Sequence, residues 1–226
     1  YMSWEDIKEI EEYDFVEIGN HSHTHEYLID FTDQEIINDL KESIEIFNNR
    51  LGNICASHCS SMSCLPINEF QTLGRLLASA RIKVIGLPIC NLVLLQSGTR
   101  PRSAVTAPLF ELEELGILTA VGSDNVSDAF NPYGDYSPLL NLQLSNLLHS
   151  NLQAASIANS LRFITSNAKE IFYGVQRDDY AEGDWVVVDS NDAYAAVARS
   201  AEPIATFKQG NLVYKREVGE DWLEGV

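Results

Sequence analysis

The chain has 226 residues, 45% of them hydrophobic, enough for one sizeable core with a small appendage. Its 15 basic against 33 acidic residues leave a formal charge of -18, which repels phosphate backbones and anionic membranes and argues against nucleic acid or a membrane surface as partner. No apolar run approaches the roughly 20 residues of a membrane span, and the opening YMSWEDIKEI lacks a signal-peptide layout, so a cytoplasmic location is expected.

Phe15 to Gly19 (FVEIG) reads as a short strand, followed by the polar run HSHTH. A helix comes next: Thr32 and Glu35 have capping-box spacing, Ile36, Leu40, Ile44, Phe47 and Leu51 recur at helical intervals, and Gly52 suits the left-handed stop. Ile54 to Ser57 then reads as a buried strand, Ile67 to Ala80 as a helix and Lys83 to Leu87 as a second strand. Pro108 to Leu115 reads as a helix stopped by Gly116, and Ile117 to Gly122 as a third strand. Strand alternating with helix implies a parallel sheet.

Beyond it, Leu139 to Leu148 and Ala154 to Ile164 read as helices, and Thr165 begins a shorter one that ends before Gly174. Trp185 to Asp189, Ile204 to Lys208 and Leu212 to Lys215 read as strands of a small β unit, the last two joined by a turn at Gln209, Gly210 and Asn211. The four cysteines, Cys55, Cys59, Cys64 and Cys90, have no paired spacing and are expected as reduced thiols.

Parallel α/β architectures place their sites at the carboxyl ends of the strands, which singles out HSHTH, Ser57-His58-Cys59 and Ser123-Asp124-Asn125. His21, His23 and His25 alternate with hydroxyl residues just past a strand, and neutral imidazoles so placed are good ligands for zinc or ferrous iron; the alternative is a solvated polar loop. A lone imidazole such as His58 is either a hydrogen-bonded core group or a proton-transfer group. Asp124 ends an apolar strand, where a carboxylate is costly unless paired or bound to metal. Asp128 and Asp135 lie on a loop rich in Asn, Pro and Gly, and His149 reads as a cap on a helix end. Cys59 and Cys64 have no basic neighbour except His58 to activate them as nucleophiles.

From about Asn53 onward, ASHCSSMS (56 to 63), VIGLPICNLVL (84 to 94) and VGSDNVSDAFNPYGD (121 to 135), followed by TSNAKEIF, GDWVVVDS and GNLVYKRE, resemble in order the second half of an amidohydrolase-superfamily enzyme of the cytosine deaminase type. That resemblance implies a strand-helix barrel with a closing β unit. It also implies His58 as the histidine that assists proton transfer, Asp124 as the carboxylate that binds metal and orients water, and Asn91 in the substrate loop as a substrate-binding residue. The first fifty residues, with VEIGNHSHTHEYL, resemble instead the polysaccharide deacetylase family. Its H-[ST]-x-x-H motif implies His21 and His25 as zinc ligands, Ser22 as the hydroxyl residue and His23 as a bystander. The deacetylase aspartate pair, and the deaminase family's early His-x-His strand and later His-x-x-Glu segment, have no clear counterpart here.

The expected fold class is therefore α/β, a partial or composite (β/α) barrel: a deacetylase-like segment over 1–52, a half barrel over 53–174 and a β-rich segment over 175–226. Three functions remain open. The first is a metal-dependent amidohydrolase using Zn or Fe on a small molecule, in which metal-bound hydroxide attacks a trigonal carbon and ammonia leaves. The second is a polysaccharide N-deacetylase. The third is an inactive composite domain whose exposed sheet edges lead to homo-oligomers.

Overall fold

The computed structural model describes residues 54–94, 106–173 and 183–216, together with positions 32, 34, 35, 38, 39, 41 and 42. Around these isolated positions the capping box is in place: the Glu35 carboxylate accepts from the Thr32 backbone N–H at 2.8 Å and from its hydroxyl at 2.7 Å. The FVEIG strand, the HSHTH run and the Gly52 stop lie outside the described residues.

Three short strands, β1 (Cys55–Ser57), β2 (Lys83–Gly86) and β3 (Thr119–Val121), form a parallel sheet in the order β1-β2-β3. Ala56 pairs with Val84 and Val84 with Thr119, so the three carboxyl ends share one edge. All of β3 (TAV) is buried, as in a sheet strand covered on both faces.

Helix α1 (Ile67–Ser79) crosses from β1 to β2 and buries Phe70, Gly74 and Leu77. A side chain at Gly74 would collide with Leu115, so this glycine lets α1 lie close to the turn that ends α3 (Leu109–Glu114). Gly116, with φ at 85°, stops α3 as its position predicts. Helix α4 (Pro138–Leu148) opens with Pro138 in its first turn and with Ser137 accepting a hydrogen bond from the Leu140 N–H at 3.2 Å. Leu109, Leu112, Leu142, Val84 and Phe163 form the centre of the core.

Two helices were not legible in the sequence. Pro88–Leu94 forms α2, where the apolar run after KVIGL reads as a continuation into a loop. Ala193–Ala198 forms α7, capped by Asp192 accepting from the Ala195 N–H at 2.7 Å. The expected helix from Ala154 to Ile164 is divided into α5 (Ala154–Asn159) and a 3-10 turn (Ser160–Ile164), and α6 (Ser166–Tyr173) follows.

The terminal β unit is an antiparallel sheet of β4 (Trp185–Val188), β5 (Pro203–Lys208) and β6 (Asn211–Lys215). Gln209 and Gly210 both have positive φ, as a tight two-residue hairpin turn needs. Helix α7 ties this unit to the rest by burying Ala196 and Val197 in the common core. The observed architecture is α/β with a parallel sheet, and the barrel is partial. Among the described residues no helix is long and apolar enough to cross a membrane.

Candidate metal centre

The shared carboxyl edge of the sheet brings three chain segments together. After β1 the backbone turns through His58 and Cys59, with φ at 65° and 45°, and the His58 N–H donates to the Ile85 carbonyl at 3.1 Å. After β2 the chain enters α2 and places Cys90 and Asn91 there, 3% and 2% exposed. After β3 the Gly122 N–H donates to the Gly86 carbonyl at 3.0 Å, and the chain turns at Asp124 with φ at 55°. A Cβ on Gly122 would stand 3.1 Å from Leu87, so the absence of a side chain lets the β3 end sit against the start of α2. Left-handed backbone at non-glycine residues costs on the order of 1–3 kcal/mol and gathers at functional sites.

His58 Nδ1 lies 2.8 Å from Asn91 Oδ1. An amide oxygen only accepts, so Nδ1 carries the proton and the other ring nitrogen of a neutral imidazole presents a lone pair. That nitrogen, Nε2, lies 3.4 Å from Asp124 Oδ2. Two lone pairs facing each other repel unless a proton or a cation lies between them.

Cys90 completes the cluster. Its sulfur, a ring nitrogen of His58 and an Asp124 carboxylate oxygen all lie within 4.8 Å of one another. Burial above all, then a hydrogen bond to Asp124 and the negative charges of Asp124 and Asp128, push the thiol up to about 12. The Asn91 Nδ2 is buried with no hydrogen-bond partner.

The donor set suits a borderline-soft divalent cation. Four-coordinate zinc holds N, O and S ligands at about 2.0–2.3 Å, which puts neighbouring ligand atoms about 3.3–3.8 Å apart. The His58 to Asp124 separation of 3.4 Å falls in that interval. At most 4.8 Å separates the remaining atoms, which leaves about an ångström of side-chain movement for the sulfur.

The other candidates from the sequence are accounted for differently. Asp128 organises its own loop: its carboxylate accepts from Asn125 Nδ2 at 2.5 Å and from the backbone N–H groups of Asn131 and Phe130 at 2.8 and 2.9 Å. The bond from Asn125 is the largest cause of its lowered pKa. Asp135 accepts from the Ser137 N–H at 3.0 Å just before α4. His149 stands at the end of α4 as expected, but its ring does not cap that helix: Nε2 donates to the Ala107 carbonyl at 2.8 Å, and the ring meets Phe110 edge-on. Burial is the main cause of its lowered pKa. Burial also pushes the Cys59 thiol up to about 12, the reverse of an activated nucleophile. None of the four cysteines is in a disulfide.

Asn91, expected in a substrate loop, is on a buried helical turn and holds His58 from behind. Cys90 is the residue that the sequence did not mark. Reading Pro88 as the first residue of a helix would have turned Cys90 and Asn91 towards the strand ends. His21 and His25 lie outside the described residues.

Comparison with known proteins gives two separate likenesses. A family model described as polysaccharide deacetylase matches residues 1–60. A pterin deaminase from Rhizobium rhizogenes is 37% identical over 94 residues, 41% of this chain and 22% of that protein. The structure is similar to that of a 5-methylcytosine deaminase from Klebsiella pneumoniae, with a TM-score of 0.69 and 21% identity over 82% of this chain and 46% of the other. An adenosine deaminase from Xanthomonas campestris, solved with bound zinc, is similar at a TM-score of 0.54 and 16% identity, over 84% of this chain and 45% of its own. The chain spans less than half the length of each of these proteins. It resembles amidohydrolase-type deaminases in its fold and in part of its sequence, behind an opening segment that resembles polysaccharide deacetylases.

Proposed function

We propose that the chain belongs to a metal-dependent hydrolase of carbon–nitrogen bonds other than peptide bonds, of the deaminase type. The observation that carries this is the convergence of His58 Nε2 and the Asp124 carboxylate, 3.4 Å apart, at the carboxyl edge of a sheet shared with deaminases. The substrate class is a planar ring amidine, whose carbon is attacked and whose amino group leaves as ammonia.

A zinc or ferrous ion held there would supply the nucleophile by lowering the pKa of its water towards about 7. Asp124 would hold that ion, with His21 and His25 as further ligands from the opening segment. His58 exchanges a proton at Nε2 beside the attacked carbon, delivering it to the departing nitrogen. Asn91 acts through His58, because its Oδ1 keeps the proton on Nδ1 and so leaves Nε2 free for that exchange. In this reading 1–52 contributes ligands, 53–174 the catalytic half barrel and 175–226 the closing β unit. The reduced thiols suit a cytoplasmic setting.

The test is ammonia release from cytosine-like and pterin-like substrates by metal-loaded protein. The expected result is turnover that falls at least about a hundredfold in Asp124→Ala and in His58→Ala. A second reading rests on the match of residues 1–60 to polysaccharide deacetylases: acetate released from N-acetylated oligosaccharides, and abolished by His25→Ala, would replace the first reading with it.

A further inference from the structure

We propose that His58, Cys90 and Asp124 form a thiophilic cation site whose filling withdraws His58 and Asp124 from catalysis. The binding claim stands on geometry alone; only its inhibitory consequence rests on the function proposed above.

Three independent features point to it. The first is the donor set, a nitrogen, a sulfur and a carboxylate oxygen from three successive strand ends, within 4.8 Å. The second is the orientation of the imidazole. Asn91 holds Nδ1–H, so the Nε2 lone pair is turned to the Asp124 oxygen, and a cation between them replaces a repulsion by two bonds. The third is the placement of Cys90. It is buried, within 4.8 Å of the other two ligand atoms, whereas the His58 and Asp124 side chains keep about a third of their surface, which leaves the outer side open for entry.

Hydrolysis as proposed has no use for a thiol at this position. What sulfur adds is selectivity: a carboxylate and an imidazole accept many divalent ions, whereas a thiolate favours zinc and cadmium over magnesium and calcium. On entry the Sγ–H bond of Cys90 breaks and a sulfur–metal bond forms. The proton departs to solvent, so one proton is released per cation. Three protein ligands leave the fourth position to water. With its Nε2 committed to the cation, His58 no longer exchanges protons, and excess zinc or cadmium inhibits.

The experiment is a cadmium titration of the full chain, read by the ultraviolet sulfur-to-cadmium charge-transfer band. The band is expected to saturate, to persist in a variant with Cys55, Cys59 and Cys64 all changed to Ser, and to vanish in Cys90→Ser. Asp124→Asn, an exposed position, and Asn91→Ala should each weaken cadmium binding at least about tenfold. Circular dichroism melting checks that each variant is folded. A band that survives Cys90→Ser in folded protein, or affinity unchanged in Asp124→Asn, overturns the site. Because the band is read independently of turnover, it separates the two proposals: a band without any ammonia release refutes the hydrolase and leaves the site standing, and the converse refutes the site.

Discussion

Nε2 of His58 and Oδ2 of Asp124 lie 3.4 Å apart, and both residues reach that position with left-handed backbones, φ 65° and 55°. A glycine adopts such a backbone without a Cβ penalty. Asp124→Gly should therefore raise the unfolding midpoint, corresponding to about 1 kcal/mol, while abolishing cation uptake. A midpoint lowered by the substitution would mean that the aspartate stabilises the fold, against the argument from strain.

Phe163 is fully buried, with its ring 5.2 Å from that of Phe110 in an edge-on contact and the Arg162 guanidinium 4.4 Å above it. Truncation removes both contacts and leaves a cavity in the core cluster to which Phe163 belongs. Phe163→Ala should cost about 3–5 kcal/mol, measured by urea denaturation. A loss below about 1 kcal/mol would show that the neighbours collapse into the space.

Gly86 ends β2 where a Cβ would meet Leu109 Cδ1 at 2.9 Å. Leu109 is fully enclosed and has nowhere to move. Gly86→Ala should therefore cost about 1–3 kcal/mol and, by displacing the segment that carries Cys90 and Asn91, also weaken cadmium binding. Calorimetry and the charge-transfer titration read the two effects separately.

The depressed pKa of His149 sets a direction for acid stability. Burial disfavours its charged form, so below the ordinary value of 6.5 the unfolded chain binds a proton that the folded chain resists. This part of the stability is present at neutral pH and is lost as the pH falls through 6.5 towards the depressed folded value. His149→Gln should show a smaller loss of urea midpoint between about pH 7.5 and about pH 5.5 than the parent chain does. An equal loss in both would assign the pH dependence to other groups.

The strands and most helices were legible because their apolar spacing is distinct: KVIG pairs with neighbours on both sides, and Ile67–Ser79 buries one face. The positions of His58, directly after β1, and of Asp124, just beyond Gly122 and Ser123 after β3, were legible because polar residues there follow apolar strands. Helix α2 was not, since ICNLVL is apolar except for Asn91, and periodicity alone does not separate a short buried helix from a strand. Cys90 and the supporting place of Asn91 were hidden with it. The role of Asp128 depends on hydrogen bonds to its own loop, which spacing does not distinguish from a ligand's position. The ring of His149 bonds to Ala107, a neighbour remote in sequence and brought near only by packing.

The three strands lie in the sheet in the order in which they occur in the chain, and each is bonded to the one before it. Each therefore delivers its own polar residues to a common rim as a separable module. In chain order His58 comes first, then Cys90 and Asn91, whose Oδ1 holds the His58 Nδ1 proton, and Asp124 last, beyond β3. A chain that stops before β3 contains the partners of the His58–Asn91 bond but not Asp124, so the three-ligand set proposed above is complete only once β3 is present. The same modularity means that one strand-and-turn unit could be exchanged for another during evolution, altering a single ligand while the sheet beneath it stays paired.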